Sequence, residues 1–328
     1  MVRLIACMLV LVLVCVPSLR AQTAVLDLGS DDDAVIGLHV TADSIREAVG
    51  ELGDACTHIV FTLDSRGGFL AETPALAELF ARELPERFEV ALVVKEASST
   101  AALVALASPR LAITHDGFLG GHAPFERLGE VDLDLVDDDL DTAISVAEAC
   151  AILGDRPQPA ARALVSRVPL EIDGRGMLTN TPGHDDVIHA GDGPLTLTAA
   201  DAVRTHVADL ALGEGEDPVS ALGFPVERAP AEREACLALE QHRDTIDERL
   251  AAFDRAWRTL DTLLASPLDD EAHRRALDAL GELETIHLVR PRIALLRGVD
   301  GLRLSERAER IESQRRAFAD HPADTMPP

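Results

Sequence analysis

Residues 95–124 read KEASSTAALVALASPRLAITHDGFLGGHAP. Two serines open a run of small and apolar residues that is apolar on every face, which predicts a fully buried helix. The apolar strand pattern RLAIT follows at 110–114, and FEVALVV precedes the stretch at 88–94. Strand, buried helix and strand in close succession form a βαβ unit, so the two strands run parallel in a sheet covered by helices.

The same alternation extends in both directions. AVLDL (24–28) and VIGLHV (35–40) read as strands, and TADSIREAVGELG (41–53) as a helix capped by Thr41 and stopped near Gly53. THIVFTLDS (57–65) is a near-continuous apolar run, the pattern of a parallel strand buried on both faces. TPALAELFARELPE (73–86) is a helix with Pro74 in its first turn. Downstream, 135–154 and 159–168 read as helices, 170–198 as a β-hairpin with Gly- and Asp-rich loops, and 198–211 as a short helix and strand. The texture changes after 225–233. From about Ala231 to His321 the pattern is helical, with Leu239, Ile246, Leu250, Phe253, Trp257 and Leu260 at three- and four-residue steps. Pro267 and Pro291 divide this tract into about three helices. The chain thus divides into 22–226, an α/β unit, and 227–328, a helical hairpin or coiled-coil extension that packs on the core or on a second copy.

Composition narrows the function. The formal charge is −27, which disfavours nucleic acid and anionic lipid as partners. Residues 1–21 carry Arg3, an apolar core from Leu4 to Val16, and a small residue at Ala21, the layout of a secretory signal peptide cleaved after Ala21. The expected location is extracytoplasmic, periplasmic or secreted, with an uncleaved membrane anchor as the alternative. No membrane span is expected after cleavage. Cys56, Cys150 and Cys236 are too scattered for a disulfide framework and read as buried thiols.

Chemistry is expected where strands end. In a parallel sheet, ligands sit at the carboxyl edge. LDSRGGF (63–69) ends one strand and EASSTAAL (96–103) ends the next, so both fall on that edge. Gly67 and Gly68 let backbone N–H groups approach a ligand closely. Ser99 stands at a helix N-terminus, where free N–H groups and the helix dipole favour negative charge. That is a nucleophile beside an oxyanion hole, set against a competing reading of Ser98 and Ser99 as helix-capping hydroxyls.

These stretches carry a resemblance. VFTLDSRGGFLAETPALAELF (60–80), ASSTAALVALASPRLAITHDGFLGGHAP (97–124) and GPLTLTAADAVRTHVADLALGEGEDPVSALGF (193–224), in that order, resemble the ClpP/crotonase superfamily, most closely membrane-bound serine proteases of the NfeD and signal-peptide-peptidase-A type. The resemblance covers about residues 25–225. It implies repeated ββα units around a mostly parallel sheet. It also implies Ser99 as nucleophile and the backbone amides of Gly67 or Gly68 and of Thr100 as the oxyanion hole. The substrate it implies is a peptide or protein, and the assembly a homo-oligomer, without cofactor or metal.

The sequence departs from that pattern at the base. The NfeD-type lysine, some forty residues after the serine, has no counterpart in 135–154, where Asp138 and Asp139 stand instead. Lys95 is the only lysine in the chain, and it occupies a place where the family commonly has glycine; Ala101 replaces another. His122, in the local text His-Ala-Pro, resembles the ClpP-branch histidine and is the candidate base, with Asp173 a third member by approximate spacing only. Otherwise His122 is an ordinary loop histidine. His184, Asp185, Asp186 and His189 fit no metal-ligand spacing and read as an acidic surface loop. Three functions follow. They are an exported serine peptidase, a catalytically inactive relative serving as a binding or assembly module, and, last, an acyl-CoA enzyme of the crotonase type, which an exported protein would rarely supply with substrate.

Overall fold

The computed structural model describes residues 21–30, 34–120, 127–128, 131–132 and 137–320. In chain order, the first half contains β1 (Gln22–Ser30), α1 (Ala42–Gly50), β2 (Cys56–Ser65), α2 (Thr73–Glu78), β3 (Glu89–Ala97), α3 (Thr100–Leu106) and β4 (Leu111–Gly120). Then come β5 (Arg127–Leu128), β6 (Val131–Asp132), α4 (Asp137–Leu153), α5 (Gln158–Val165), β7 (Leu170–Ile172), β8 (Leu178–Thr179) and β9 (Asp186–His189). The remainder is β10 (Thr196–Thr198), α6 (Ala199–Arg204), β11 (Leu210–Ala211), α7 (Pro218–Ala221), α8 (Glu232–Leu263), α9 (Asp270–Val289), α10 (Pro291–Leu296) and α11 (Gly301–Asp320).

The fold is α/β. Its main sheet has six strands in the order β1-β2-β3-β4-β10, with β11 also on β4, and every pairing but β10–β4 is parallel. Parallel pairing follows from the helices that connect the strands. All seven residues of α3 are buried, as a helix apolar on every face requires. Thr41 caps α1 through a reciprocal pair with Ser44: each hydroxyl accepts from the other residue's backbone N–H.

Three sequence expectations change. The helix expected over 73–86 is α-helical only to Glu78 and continues as a wider turn over Leu79–Glu83 and a tighter one over Leu84–Glu86. The strand expected at 110–114 runs on to Gly120. The β3–β4 register shifts between Val94/Ile113 and Glu96/Phe118, so the first part of β4 pairs with β11 and the last with β10. VIGLHV at 35–40 is no strand. The chain turns back at Gly37, whose N–H donates to the Val40 carbonyl. Its apolar side chains face a different core: Leu38 is buried, and Val35 packs partly buried, among residues of α8, α9 and α10. Alternation alone did not reveal that the receiving surface is helical.

The Gly- and Asp-rich stretch forms a three-stranded antiparallel sheet, β8-β7-β9. Residues 232–320 form four helices. Among the described residues no helix is long and apolar enough to cross a membrane. Cys56, Cys150 and Cys236 are free thiols. Burial pushes the Cys150 thiol up to about 12, so it stays protonated and unreactive in the folded state.

A half-buried ion pair ties the end of α4 to β4. Arg156, almost wholly buried, donates to both carboxylate oxygens of Asp209 at 2.8 and 2.6 Å and to the Ser108 carbonyl at 3.2 Å. Asp209 also accepts from the Leu111 N–H. Burial pushes the Asp209 carboxyl upward, but the Arg156 and Leu111 donors prevail and hold it below its ordinary value. A carboxylate held low stabilises the fold above its unfolded pKa of about 3.9, and that contribution is lost as pH falls through the lower folded value. Asp209→Asn should therefore cost on the order of 2 kcal/mol at pH 7, discounted from a fully buried pair because Asp209 is half exposed. The difference from wild type should narrow below about pH 4, as read by urea denaturation across pH.

Candidate active site

β2 and β3 run parallel and stay paired up to Ser65 and Ala97, so the turns that leave them emerge side by side. The Ser98 N–H donates to the Ser65 carbonyl at 2.9 Å, extending the pairing into the turns. Gly67 then lies against Ser99. A Cβ placed on Gly67 would sit 2.8 Å from the Ser99 Cβ, 2.9 Å from the Ser98 carbonyl oxygen and 3.2 Å from the Thr100 nitrogen. No side chain fits there, and φ is +108°, in the region glycine tolerates. The structure thus brings Gly67, Ser99 and Thr100 together.

The two serines differ. Ser98 is fully buried, and its hydroxyl donates to the Glu96 carboxylate at 3.2 Å. Ser99 is partly exposed and makes no side-chain capping bond, although it occupies the N-cap of α3. Its hydroxyl has no hydrogen-bond partner among the described residues. The Ser99 backbone has φ 52° and ψ −126°. That conformation costs a residue with a side chain about 1–3 kcal/mol, and it persists only where the surroundings impose it. A serine on a sharp strained turn from strand to helix presents its hydroxyl at the sheet edge. Here the buried α3 on one side and the Ser65–Ser98 bond on the other impose the strain. A capping hydroxyl would explain neither the strain nor the missing cap bond.

The donors beside Ser99 are sorted by their partners. The Gly67 N–H donates to the Ser65 hydroxyl at 3.1 Å, and that hydroxyl donates to the Ala34 carbonyl at 2.6 Å. The Ile36 N–H donates to the Gly67 carbonyl, and the Phe69 N–H to the Ile36 carbonyl, both at 2.9 Å. This leaves the Gly68 and Thr100 N–H groups without partners among the described residues. Gly68 has its own steric demand: a Cβ there would lie 2.2 Å from the Ile36 oxygen. Ser65 and Ile36 were missed in the sequence. The signal was there for Ser65, a hydroxyl at the last strand position before a glycine pair. For Ile36 there was none, because its partner lies thirty residues away and pairs through a single bridge.

The remaining candidates fall elsewhere. Lys95 pairs with Asp64 at 2.7 Å, its side chain largely in solvent. The Asp173 carboxylate accepts from the Arg175 and Met177 N–H groups, which close the β7–β8 turn and hold it below its ordinary value. That turn commits Asp173 to the hairpin. Asp186 pairs with Arg204, and the His189 ring bonds the Gly193 carbonyl. Among the described residues no group of three or more His, Cys, Asp or Glu side chains is placed to hold a metal. His122 lies outside the described residues, as do residues 1–20 of the stretch expected to be a signal peptide. Nothing is described of the Asp138 and Asp139 side chains.

With this geometry in view, the chain can be set beside known proteins. No family model matches it, and no curated protein matches it. Solved structures that resemble it include proteases. A serine-to-alanine mutant of the 1510-N membrane-bound stomatin-specific protease is 15% identical, with 63% of this chain and 89% of that one covered at a TM-score of 0.46. A second mutant of that protease, in complex with a substrate peptide, is 15% identical over 62% and 78% of the two chains, with a TM-score of 0.44. ClpP1 from Listeria monocytogenes is 11% identical over 61% and 94%, with a TM-score of 0.39. All three are distant, and the reading of the site rests on its own geometry.

Two substitutions test that geometry. Gly67→Ala should displace Ser99, and Gly68→Ala should break the bridge to Ile36. Each should lower stability by about 1–3 kcal/mol, read by thermal unfolding. Ala at Gly174, which meets nothing within 4 Å and carries no left-handed φ, should be near neutral.

Proposed function

We propose that this chain is an exported peptidase of the ClpP type, acting on a peptide or protein. The observation that supports this most is the strained, partly exposed Ser99, which makes no side-chain capping bond and lies against Gly67, with the N–H groups of Gly68 and Thr100 unpartnered among the described residues. In this reading the Ser99 Oγ attacks the carbonyl carbon of the substrate as a base removes its proton. The carbonyl oxygen, now negative, accepts from the N–H groups of Gly68 and Thr100. Gly67 contributes its bare α-carbon, since its own N–H is occupied by Ser65. The tetrahedral species collapses, the C–N bond breaks, and the base returns the proton to the departing amine. Water repeats the sequence on the acyl-serine, releasing the acid and restoring the hydroxyl.

His122 is the proposed base, since imidazole is the side chain whose ordinary chemistry takes up and returns a proton near neutral pH. Asp173 has no part in this scheme, because its carboxylate serves the hairpin turn. A second reading, an inactive relative kept as a binding or assembly module, is favoured by the state of the one lysine: Lys95 is engaged by Asp64. Fluorophosphonate labelling of the purified protein separates the two. The peptidase reading expects labelling of wild type, none of Ser99→Ala, and a fall of about 10²–10⁴ in rate for His122→Ala. Absence of Ser99-dependent labelling supports the inactive module. Gly68→Ala keeps the N–H but displaces it, because its Cβ meets the Ile36 oxygen, and should cut the labelling rate by up to about 10²-fold, the usual cost of losing one oxyanion donor.

A further inference from the structure

The helical extension reaches the site from behind. The link is the loop over residues 34–41, which carries the partners of the glycine turn: Ala34 accepts from Ser65, and Ile36 brackets Gly68 through two backbone bonds. Three side chains of the extension grip this loop. His39 is buried, and its Nδ1 accepts from the Val35 N–H at 3.3 Å. Its Nε2 therefore carries the hydrogen and donates to Asp247 of α8 at 3.1 Å. His242, also of α8, bonds the Leu38 carbonyl at 2.8 Å. Arg292 of α10 donates to the Gly37 carbonyl at 2.9 Å and to Glu72 at 2.6 Å.

Glu72 closes the circuit. It lies four residues after Gly68, and its other carboxylate oxygen accepts from the Ala42 N–H at the start of α1. Arg292 therefore spans both flanks of the site: the loop that pairs with the glycine turn and the segment that follows it. Its guanidinium also lies 5.9 Å from the centre of the Phe69 ring. Phe69 itself, the residue after Gly68, packs with Val35 and Leu38 against the apolar cluster of the extension rather than the core of the sheet. The glycine turn is thus flanked by a loop on which Gly68 packs and by the residue Phe69, both of which rest on residues 232–320.

We propose that the helical extension is an integral part of the oxyanion device, with Arg292 and Asp247 as positioning residues that fix the Gly67–Gly68 turn through loop 34–41. The function assigned to the turn rests on the peptidase reading; the mechanical coupling does not. A charge-assisted contact to a backbone carbonyl, doubled by an ion pair, is the strongest kind of polar clamp available to such a loop. Removing it releases a segment whose own pairing with the turn is a single bridge.

The test is hydrogen exchange read by mass spectrometry on the full chain, for wild type, Arg292→Ala, Arg292→Lys and Asp247→Asn. Arg292→Ala should speed exchange about tenfold or more in the peptides covering 34–41 and 63–70, while 199–211, at the far edge beyond β4, is unchanged. Arg292→Lys, which keeps a charged donor, should recover part of the protection. Asp247→Asn, which keeps the shape and weakens the bond to His39, should act in the same direction and serves if Arg292→Ala does not fold. Faster exchange at 34–41 with 63–70 unmoved would overturn the proposal, as would equal loosening of all three regions. Fluorophosphonate labelling of the same samples distinguishes the two ideas: an unlabelled wild type removes the peptidase reading, whereas the exchange pattern alone decides the coupling.

Discussion

Two backbone turns can touch only if one of them carries no side chain at the point of contact. Gly67 meets that condition, and the site depends on it. Its bare α-carbon faces Ser99 at a distance where a methyl group would overlap the Ser99 Cβ. The contact is possible because β2 and β3 are parallel neighbours that end level with each other. Their crossovers leave on the same edge, because parallel strands end there together. The wholly apolar α3 follows directly and buries itself against the sheet, so the backbone at Ser99 has no freedom to relax. The strain stored there is a small fraction of what burial of α3 and its flanking strands contributes.

The hydrogen-bond pattern around the glycine pair divides labour among neighbouring amides. Alternate peptide groups of the turn are consumed internally: Gly67 N–H by Ser65, Gly67 carbonyl by Ile36, Phe69 N–H by Ile36. What remains is one N–H on Gly68 and one on Thr100, on the two sides of the contact. A buried donor without a partner is costly; Gly68 is exposed and its N–H can be solvated, whereas Thr100 is fully buried and its N–H is the costly one of the two. The Ser65 hydroxyl is central to this arrangement because it is both donor and acceptor and is fully buried.

The helical extension has its own apolar cluster, and three residues of the α/β unit, Val35, Leu38 and Phe69, belong to it. The boundary between the two units therefore runs through the site's supporting loop rather than through a linker. On a chain of net charge −27, the polar contacts at that boundary are selective: Arg292 and His242 of the extension meet carbonyls and a carboxylate of the α/β unit, and Asp247 of the extension meets His39. Opposite charges there offset part of the self-repulsion that such an acidic chain carries.

Much of this was legible in the linear text, and the reason is locality. The buried character of α3, the parallel run of β2, the Thr41 cap and the glycine pair beside a strand end are each set by residues within a few positions of one another. So was the placing of Ser99 and Gly67 on one edge, since the carboxyl ends of parallel strands share it. Tertiary structure alone decided the rest. It spent VIGLHV on a loop because the surface that receives Leu38 comes from residues over two hundred positions later. It committed Asp173 to a hairpin turn, which approximate spacing could not foresee. It chose Gly68 over Gly67 as the open donor, because hydrogen-bond partners are assigned by distance in space, and Ser65 and Ile36 reach that turn only after the chain has folded around it.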